Sequence, residues 1–467
     1  MNRMPLLLWS LCAVIAPAAL PAQAPGQKEI PVPPIRTSLP ALPAVSALPV
    51  RAEMPDVMVM NDGTRVTTEK QWRKRREEIR RILEYYVVGR MPPAPRNVKG
   101  FVEKNESVLD GKAVYRLVRI TFGPNSSLTL HVGLLVPAGK GPHPAVVMMG
   151  STPPGAPELK RLPPGPNQGR GQNVLTVIGP GPDSKSAPVP AMFRGPATAE
   201  AFAQRHAAVV ERGYAVAMFN PNDCAEDTTL RNMDGSWAFR NTRFYPAYPG
   251  YDWGILGGWA WGASRVADYL QTDKSIDKKK LIVTGASRNG KASMIAAAFD
   301  SRFMGAPVVT GGGGMGAYRF AGPRGSETLD VMLMKYPNWF SPHLLQFRGR
   351  KERLPFDQHW FVALCTPQPF ITLEGITDTI SLPEAVKQTL AGAQPAYDLL
   401  GAKDRLGVNF AAHGHAFTAE DWTAMLDFAD WHWRGKRPAK RFDAYPTETE
   451  LDAALAKAKA AAAAKKK

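Results

Sequence analysis

The chain has 467 residues, 44% of them hydrophobic, which is enough for one large core. Its formal charge is +17, with 58 basic against 41 acidic side chains. The bases form no stripe interleaved with aromatics, which argues against a nucleic-acid surface and leaves a general bias toward anionic substrates. Of three cysteines, Cys12 lies in the leader. Cys224 and Cys365 are too few for a disulfide framework; two separate, partly buried thiols are expected, with one disulfide as the alternative.

The N-terminus is weakly basic at Met1-Asn2-Arg3, apolar from Leu6 to Leu20, and carries Ala22-Gln23-Ala24 as an A-x-A cleavage signal. Residues 1–24 are therefore expected to be a signal peptide cut near Ala24, making the protein secreted or periplasmic. No later stretch is apolar enough to span a bilayer, and no membrane partner is expected. Residues 25–60 are rich in proline and alanine and read as a linker or surface strap, not a core element. From Lys70 to Tyr86 the apolar residues Trp72, Ile79, Ile82, Leu83 and Tyr86 fall on one helical face.

Ala113–Phe122 and Ser127–Val136 alternate as antiparallel strands, and Pro144–Met149 is a continuous apolar run typical of a buried central strand. Ser151 to Pro196 is Gly/Pro-rich and irregular, and its position after a central strand places it at the rim of a site. Glu200–Arg212 reads as a helix ended by Gly213, and Tyr214–Phe219 as the next strand. The loop from Asn220 to Gly250 holds Asp223, Cys224, Glu226 and Asp227, whose spacing matches no calcium loop, so no metal is expected. Trp253–Leu270 is an apolar helix; Ala306–Thr310 and Pro369–Leu373 are further strands; Glu420–Trp433 is a helix with Trp422, Met425, Leu426, Phe428 and Trp431 on its apolar face. Alternating strands and helices argue for an α/β protein with a doubly wound, mostly parallel sheet in one domain over residues 61–445. Residues 446–467 form an Ala/Lys-rich tail without an apolar face to dock.

The informative stretch is Leu281 to Ala298, LIVTGASRNGKASMIAAA. A short apolar run, Gly285, Ser287, Gly290 and then small apolar residues at helical spacing read as strand, sharp turn and helix. That is the nucleophile elbow of α/β-hydrolases, with Ser287 at its tip above a helix N-terminus. A serine hydroxyl needs a base to take its proton. His413 and His415 precede the final helix, where that fold keeps its histidine. The orienting acid is expected after strand Pro369–Leu373, with Asp378 as the candidate and Glu374 as the alternative. Arg288 beside the nucleophile can donate to an oxyanion, and Lys291 one turn on can face the same pocket. No cofactor is required by this chemistry.

The motif Gly285–Lys291 resembles the nucleophile motif of glucuronoyl esterases, carbohydrate esterase family 15. RGYAVA at Arg212, the Trp253 helix, YPNWF at Tyr336, LPFDQHWFVAL at Leu354 and HAFTAEDW extend the resemblance over Arg212–Arg434. The resemblance implies hydrolysis of esters of 4-O-methyl-glucuronic acid on xylan with lignin alcohols; a monomer with no nucleic-acid partner is expected. It implies Ser287 as nucleophile, His415 as base, Arg288 as oxyanion donor, and Lys291 and Glu327 as contacts to the sugar. There are two departures. Thr310 and a glycine run stand where fungal members carry the acid, and Ile380 stands where a D-x-W string carries a tryptophan that packs on the sugar. The latter leaves room for an esterase of another carbohydrate or small ester; a non-catalytic carbohydrate-binding protein is the remaining alternative.

Overall fold

The computed structural model describes residues 42–163, 165, 196–320 and 327–464. Residues 1–24, expected as a signal peptide, the part of the expected linker up to residue 41, and most of the Gly/Pro-rich segment, 166–195, lie outside the described residues. Among the described residues nine strands make one sheet: β1 (Lys99–Val108), β2 (Ala113–Phe122), β3 (Leu128–Pro137), β4 (His143–Met149), β5 (Ala215–Phe219), β6 (Ile276–Ala286), β7 (Phe303–Val308), β8 (Phe370–Gly375) and β9 (Leu406–Ala411). Their order across the sheet is β1-β2-β3-β5-β4-β6-β7-β8-β9. β1, β2, β3 and β5 pair antiparallel, and every pair from β5 onward is parallel.

The helices are α1 (Glu69–Leu83), α2 (Ala199–Arg205), α3 (Ala207–Glu211), α4 (Ile255–Leu270), α5 (Arg288–Phe299), α6 (Leu329–Lys335), α7 (His359–Leu364), α8 (Pro383–Leu399), α9 (Ala419–Arg434) and α10 (Glu448–Ala464). They cover both faces of the sheet, because the central parallel strands are apolar on both sides. Alternate side chains of β4 and β6 divide between two cores, as the two-residue period requires. Ala145, Val147, Leu281 and Val283 enter the core beneath α1, α4, α5, α7 and α8, whereas Val146 and Ile282 enter the core beneath α2, α3 and α9. This is the doubly wound, mostly parallel arrangement of an α/β-hydrolase.

The structure departs from the sequence-based expectation at several elements. β1 has no apolar alternation and is not predicted by pattern; it is an edge strand, exposed at every position but Val108. The helix expected over Glu200–Arg212 breaks at His206 (φ −113°, ψ 15°), whose ring Nδ1 lies 2.9 Å from the Phe202 carbonyl. Residues 42–60, expected as linker or strap, rest on the body with Val45, Leu48, Val57 and Met58 in the first core. Tyr86 donates its hydroxyl to the Pro43 carbonyl at 2.6 Å there. The tail expected to lack a docking face forms α10, with Leu451 3% exposed. A cap starts it: the Glu450 carboxylate accepts from the Thr447 N–H at 2.8 Å, and the Thr447 hydroxyl accepts from the Glu450 N–H at 3.2 Å. Cys224 and Cys365 are free and buried, and burial pushes both thiols up.

The site depends on how closely α5 crosses the strands. A Cβ added at Gly290 would lie 2.8 Å from the carbonyl oxygens of both Gly285 and Val308, which are backbone and cannot swing aside. Gly290→Ala is expected to destabilise the protein by about 1–3 kcal/mol. Urea denaturation beside Gly250→Ala, which meets nothing within 4 Å and lies outside the left-handed region, checks this; equal midpoints for the two variants would show that the crossing is not tight.

Candidate active site

β6 ends at Ala286 and α5 begins at Arg288, which leaves Ser287 alone at the turn. Its backbone is at φ 59°, ψ −123°, a region costly for a side chain larger than glycine's. The surroundings hold it there. The Ser287 N–H donates to the Val308 carbonyl at 2.9 Å, and the Ser287 carbonyl accepts from the Lys291 N–H at 3.0 Å. Its hydroxyl does not cap the helix, so it remains available for chemistry.

His415 and Asp378 arrive from the loops after β9 and β8. Those loops are zipped together by backbone bonds: Ile376 N–H to the Ala411 carbonyl at 2.9 Å, and Thr377 N–H to the His413 carbonyl at 3.1 Å. The zip needs Gly375, where a Cβ would lie 2.4 Å from the Gly414 carbonyl oxygen. It sets Asp378 Oδ2 2.8 Å from His415 Nδ1. The carboxylate is 1% exposed and the imidazole 41%, so the acid is sheltered behind a histidine that faces the solvent side. Asp378 Oδ1 accepts from the Ile380 N–H at 3.1 Å.

The two alternatives raised from sequence lie elsewhere. His413 turns to Asp421, with Nε2 3.1 Å from its Oδ2; Asp421 in turn closes the capping box of α9 with Thr418. Glu374 lies inside β8, fully buried, accepting from the hydroxyls of Thr372 (2.6 Å) and Ser381. Burial raises its pKa to about 8, so it is a neutral acid at pH 7 and does not touch His415.

Arg288 Nη1 donates to Asp227 Oδ2 at 2.5 Å. Lys291 is 2% exposed; its ammonium donates to the Thr310 carbonyl and lies 3.4 Å from Glu327 Oε2. Burial lowers the Lys291 pKa, while the carboxylates of Glu327 and Asp378 work in the other direction. A Cβ on Gly311 would lie 3.1 Å from both Glu327 Oε2 and Ile380 Cδ1, so these two side chains border one small space. Lys291 thus joins the Ser287 helix to Glu327 on one side of that space, and the Ile380 N–H joins the other side to Asp378. Asp227, Tyr336, Asn338 and Trp339 are not singled out by the sequence as members of the site. The signal for Asp227 is a carboxylate in the loop after β5, within an acidic run. That run divides among arginines: Asp223 with Arg161 (3.9 Å), Glu226 with Arg243 (3.1 Å), Asp227 with Arg288. Among the described residues, no group of three or more His, Cys, Asp or Glu side chains is placed to hold a metal, and no helix is long and apolar enough to cross a membrane.

The sheet and the Ser287 turn define an α/β-hydrolase. The family model described as glucuronyl esterase of fungi matches residues 171–401. A carbohydrate esterase from an unknown prokaryotic organism is 28% identical over 82% of this chain and 90% of its own length. A 4-O-methyl-glucuronoyl methylesterase from Podospora anserina is 27% identical over 79% of this chain and 64% of its own length. A solved glucuronoyl esterase from Solibacter usitatus superposes with a TM-score of 0.67 at 27% identity, over 83% of this chain and 100% of that one. The chain is thus similar to glucuronoyl esterases in sequence and in fold, and it is a carboxylic ester hydrolase of that kind.

The neutral Glu374 has a consequence for stability. Its native pKa of about 8 lies above the ordinary value of 4.5. Between those values the native state keeps a proton that the unfolded chain has lost, so this group's contribution is present below pH 4.5 and fades as pH rises through 8. Glu374→Gln keeps an acceptor for Thr372 and presents an N–H to Ser381. The wild type is expected to lose stability more steeply than the variant across this window, by at most about 1.4 kcal/mol per pH unit. Guanidinium titrations at several pH values read the two slopes, and parallel curves would place the carboxylate in its ionised form.

Proposed function

We propose that the protein is a secreted serine esterase that hydrolyses esters of (4-O-methyl-)glucuronic acid on xylan, as in lignin–carbohydrate linkages. The observation that carries this reading is the 2.8 Å Asp378–His415 hydrogen bond, formed on the edge of the sheet where Ser287 sits in its strained turn. The likeness to glucuronoyl esterases suggests the substrate class, and the leader read at residues 1–24 suggests the export.

Each group takes a role that its surroundings support. Asp378 holds the Nδ1–H of His415 and fixes the tautomer, leaving Nε2 to take the Ser287 proton. Ser287 Oγ attacks the ester carbonyl, and the negative charge on the carbonyl oxygen is met by Arg288 and the first free N–H groups of α5. His415 then protonates the departing alcohol. Water, deprotonated by the same imidazole, cleaves the acyl-enzyme and releases the uronate and Ser287. Lys291 and Glu327 are the contacts to the sugar hydroxyls. Both are pre-positioned by their mutual ion pair, so the site presents a donor and an acceptor without reorganising.

A second reading has one observation in its favour. Ile380, beside Glu327 and Gly311, offers an aliphatic surface and no aromatic plane for a sugar ring. An esterase of another carbohydrate fits that surface equally well. Hydrolysis of benzyl glucuronate by the wild type, beside an acetylated sugar, separates the two readings. Cleavage of the glucuronate ester alone is expected; cleavage of the acetyl ester alone would overturn the substrate and keep the chemistry. Ser287→Ala is expected to lower kcat by roughly 10³-fold or more, and Asp378→Asn by roughly 10²–10⁴-fold through the wrong histidine tautomer. An Asp378→Asn variant of unchanged rate would remove Asp378 from the triad.

A further inference from the structure

Arg288 is the first residue of α5, and its side chain is 39% exposed. A guanidinium at such a place has many rotamers, and an oxyanion donor that wanders must be ordered at each turnover. The structure restrains it from two directions. One edge is taken by Asp227 Oδ2 at 2.5 Å. Two aromatic rings flank it on another side: its carbon is 5.1 Å from the Trp339 ring and 5.6 Å from the Tyr336 ring. Those rings stack on each other, 3.9 Å apart with an angle of 5° between planes.

The same carboxylate makes both restraints. Asp227 Oδ1 accepts from the Trp339 indole N–H at 2.8 Å and from the Asn338 amide at 3.3 Å. Asn338 also donates to the Thr228 carbonyl at 2.9 Å, and the Asp227 N–H donates to Asn222 Oδ1 at 2.9 Å. Asp227 is thereby fixed by its own loop, is 8% exposed, and joins the loop after β5 to the 336–339 turn. Were the residue there only to join those two segments, Oδ1 alone would suffice. Its Oδ2 is spent on a residue adjoining the nucleophile.

We propose that Asp227 is the positioning residue of the reaction: it holds one edge of the Arg288 guanidinium and fixes the aromatic pair that flanks it, so that the opposite edge is aimed at the developing oxyanion. The proposal rests on the reading of Ser287 and Arg288 given above. A carboxylate this close also offsets part of the guanidinium charge, so the arrangement favours direction over field strength.

The test uses Asp227→Asn, which keeps an acceptor for Trp339 and Asn338 and removes the charged partner of Arg288. Two rates are measured on the full chain: turnover of benzyl glucuronate, and phosphonylation of Ser287 by a fluorophosphonate. In the second, Ser287 Oγ bonds to phosphorus, fluoride leaves and His415 takes the proton; a charged oxygen develops without any uronate being present. Asp227→Asn is expected to lower kcat and the phosphonylation rate by roughly 10²-fold with KM changed less than about threefold, because the ground-state sugar contacts are untouched. In an Arg288→Ala background the same change is expected to have no further effect. Asp227→Glu, which keeps the charge, is expected to recover part of the rate, and it carries the test if the asparagine variant does not fold. Unchanged rates in Asp227→Asn, an equal loss with and without Arg288, or an Asp227→Glu no better than Asp227→Asn would each overturn the proposal. A wild type phosphonylated at Ser287 that cleaves no glucuronate ester overturns the substrate reading and leaves the Asp227 comparison intact. A wild type not labelled at Ser287 overturns both.

Discussion

The crossing of β6 and α5 is the constraint on which the rest of the site depends. Backbone meets backbone there, at Gly285 and Gly290, with no room for a side chain at either. Ser287 is forced between them into a positive φ that a serine does not choose. Such strain persists only where the surroundings over-determine it. Here they do: α5 is buried along Ala292–Ala298 in the first core, and β6 is bonded on both sides by β4 and β7. The close crossing also brings the free N–H groups of the helix start beneath the serine, where a negative charge is favoured.

The second organising feature is electrostatic. Glu374 and Asp378 lie four residues apart, and both are almost inaccessible. One is surrounded by hydroxyls and apolar groups inside a strand and stays protonated; the other meets an imidazole at the strand's exit. The same side-chain chemistry is divided by a single turn of chain into a neutral structural acid and the partner of His415. Lys291 obeys the same logic. Its ammonium is buried, which is tolerable because Glu327 and the Thr310 carbonyl surround it.

Much of this is legible in the sequence, and the reasons differ by element. The elbow is read from glycine spacing because sterics at a tight crossing leave no alternative residue. β4 and β6 are read from apolar runs because both faces are covered. Distance past the strand end favours Asp378 over Glu374, and the zip of the two loops is the physical reason that distance matters. β1 is not legible, since an edge strand needs no apolar period. The break at His206 depends on a ring reaching its own backbone, which composition does not record. α10 escapes pattern reading because one buried leucine and a cap suffice to dock an alanine-rich helix. Asp227 escapes because its partners, Arg288 and Trp339, are 61 and 112 residues away in the chain.

At the far margin of the sheet, β1 leaves one rim of its backbone without a neighbouring strand among the described residues. Such a rim in general invites another extended chain to add itself. Phe101 and Val102 are 45% and 52% exposed there, an adhesive pair on an open margin. The ladder to β2 slips between Val102 and Lys104, just beyond that pair, so a guest strand meets a misaligned template. Glu103, Lys104 and Glu106 follow at once, and a guest would have to strip water from each. The strand thus discourages self-templating by its geometry and its charges.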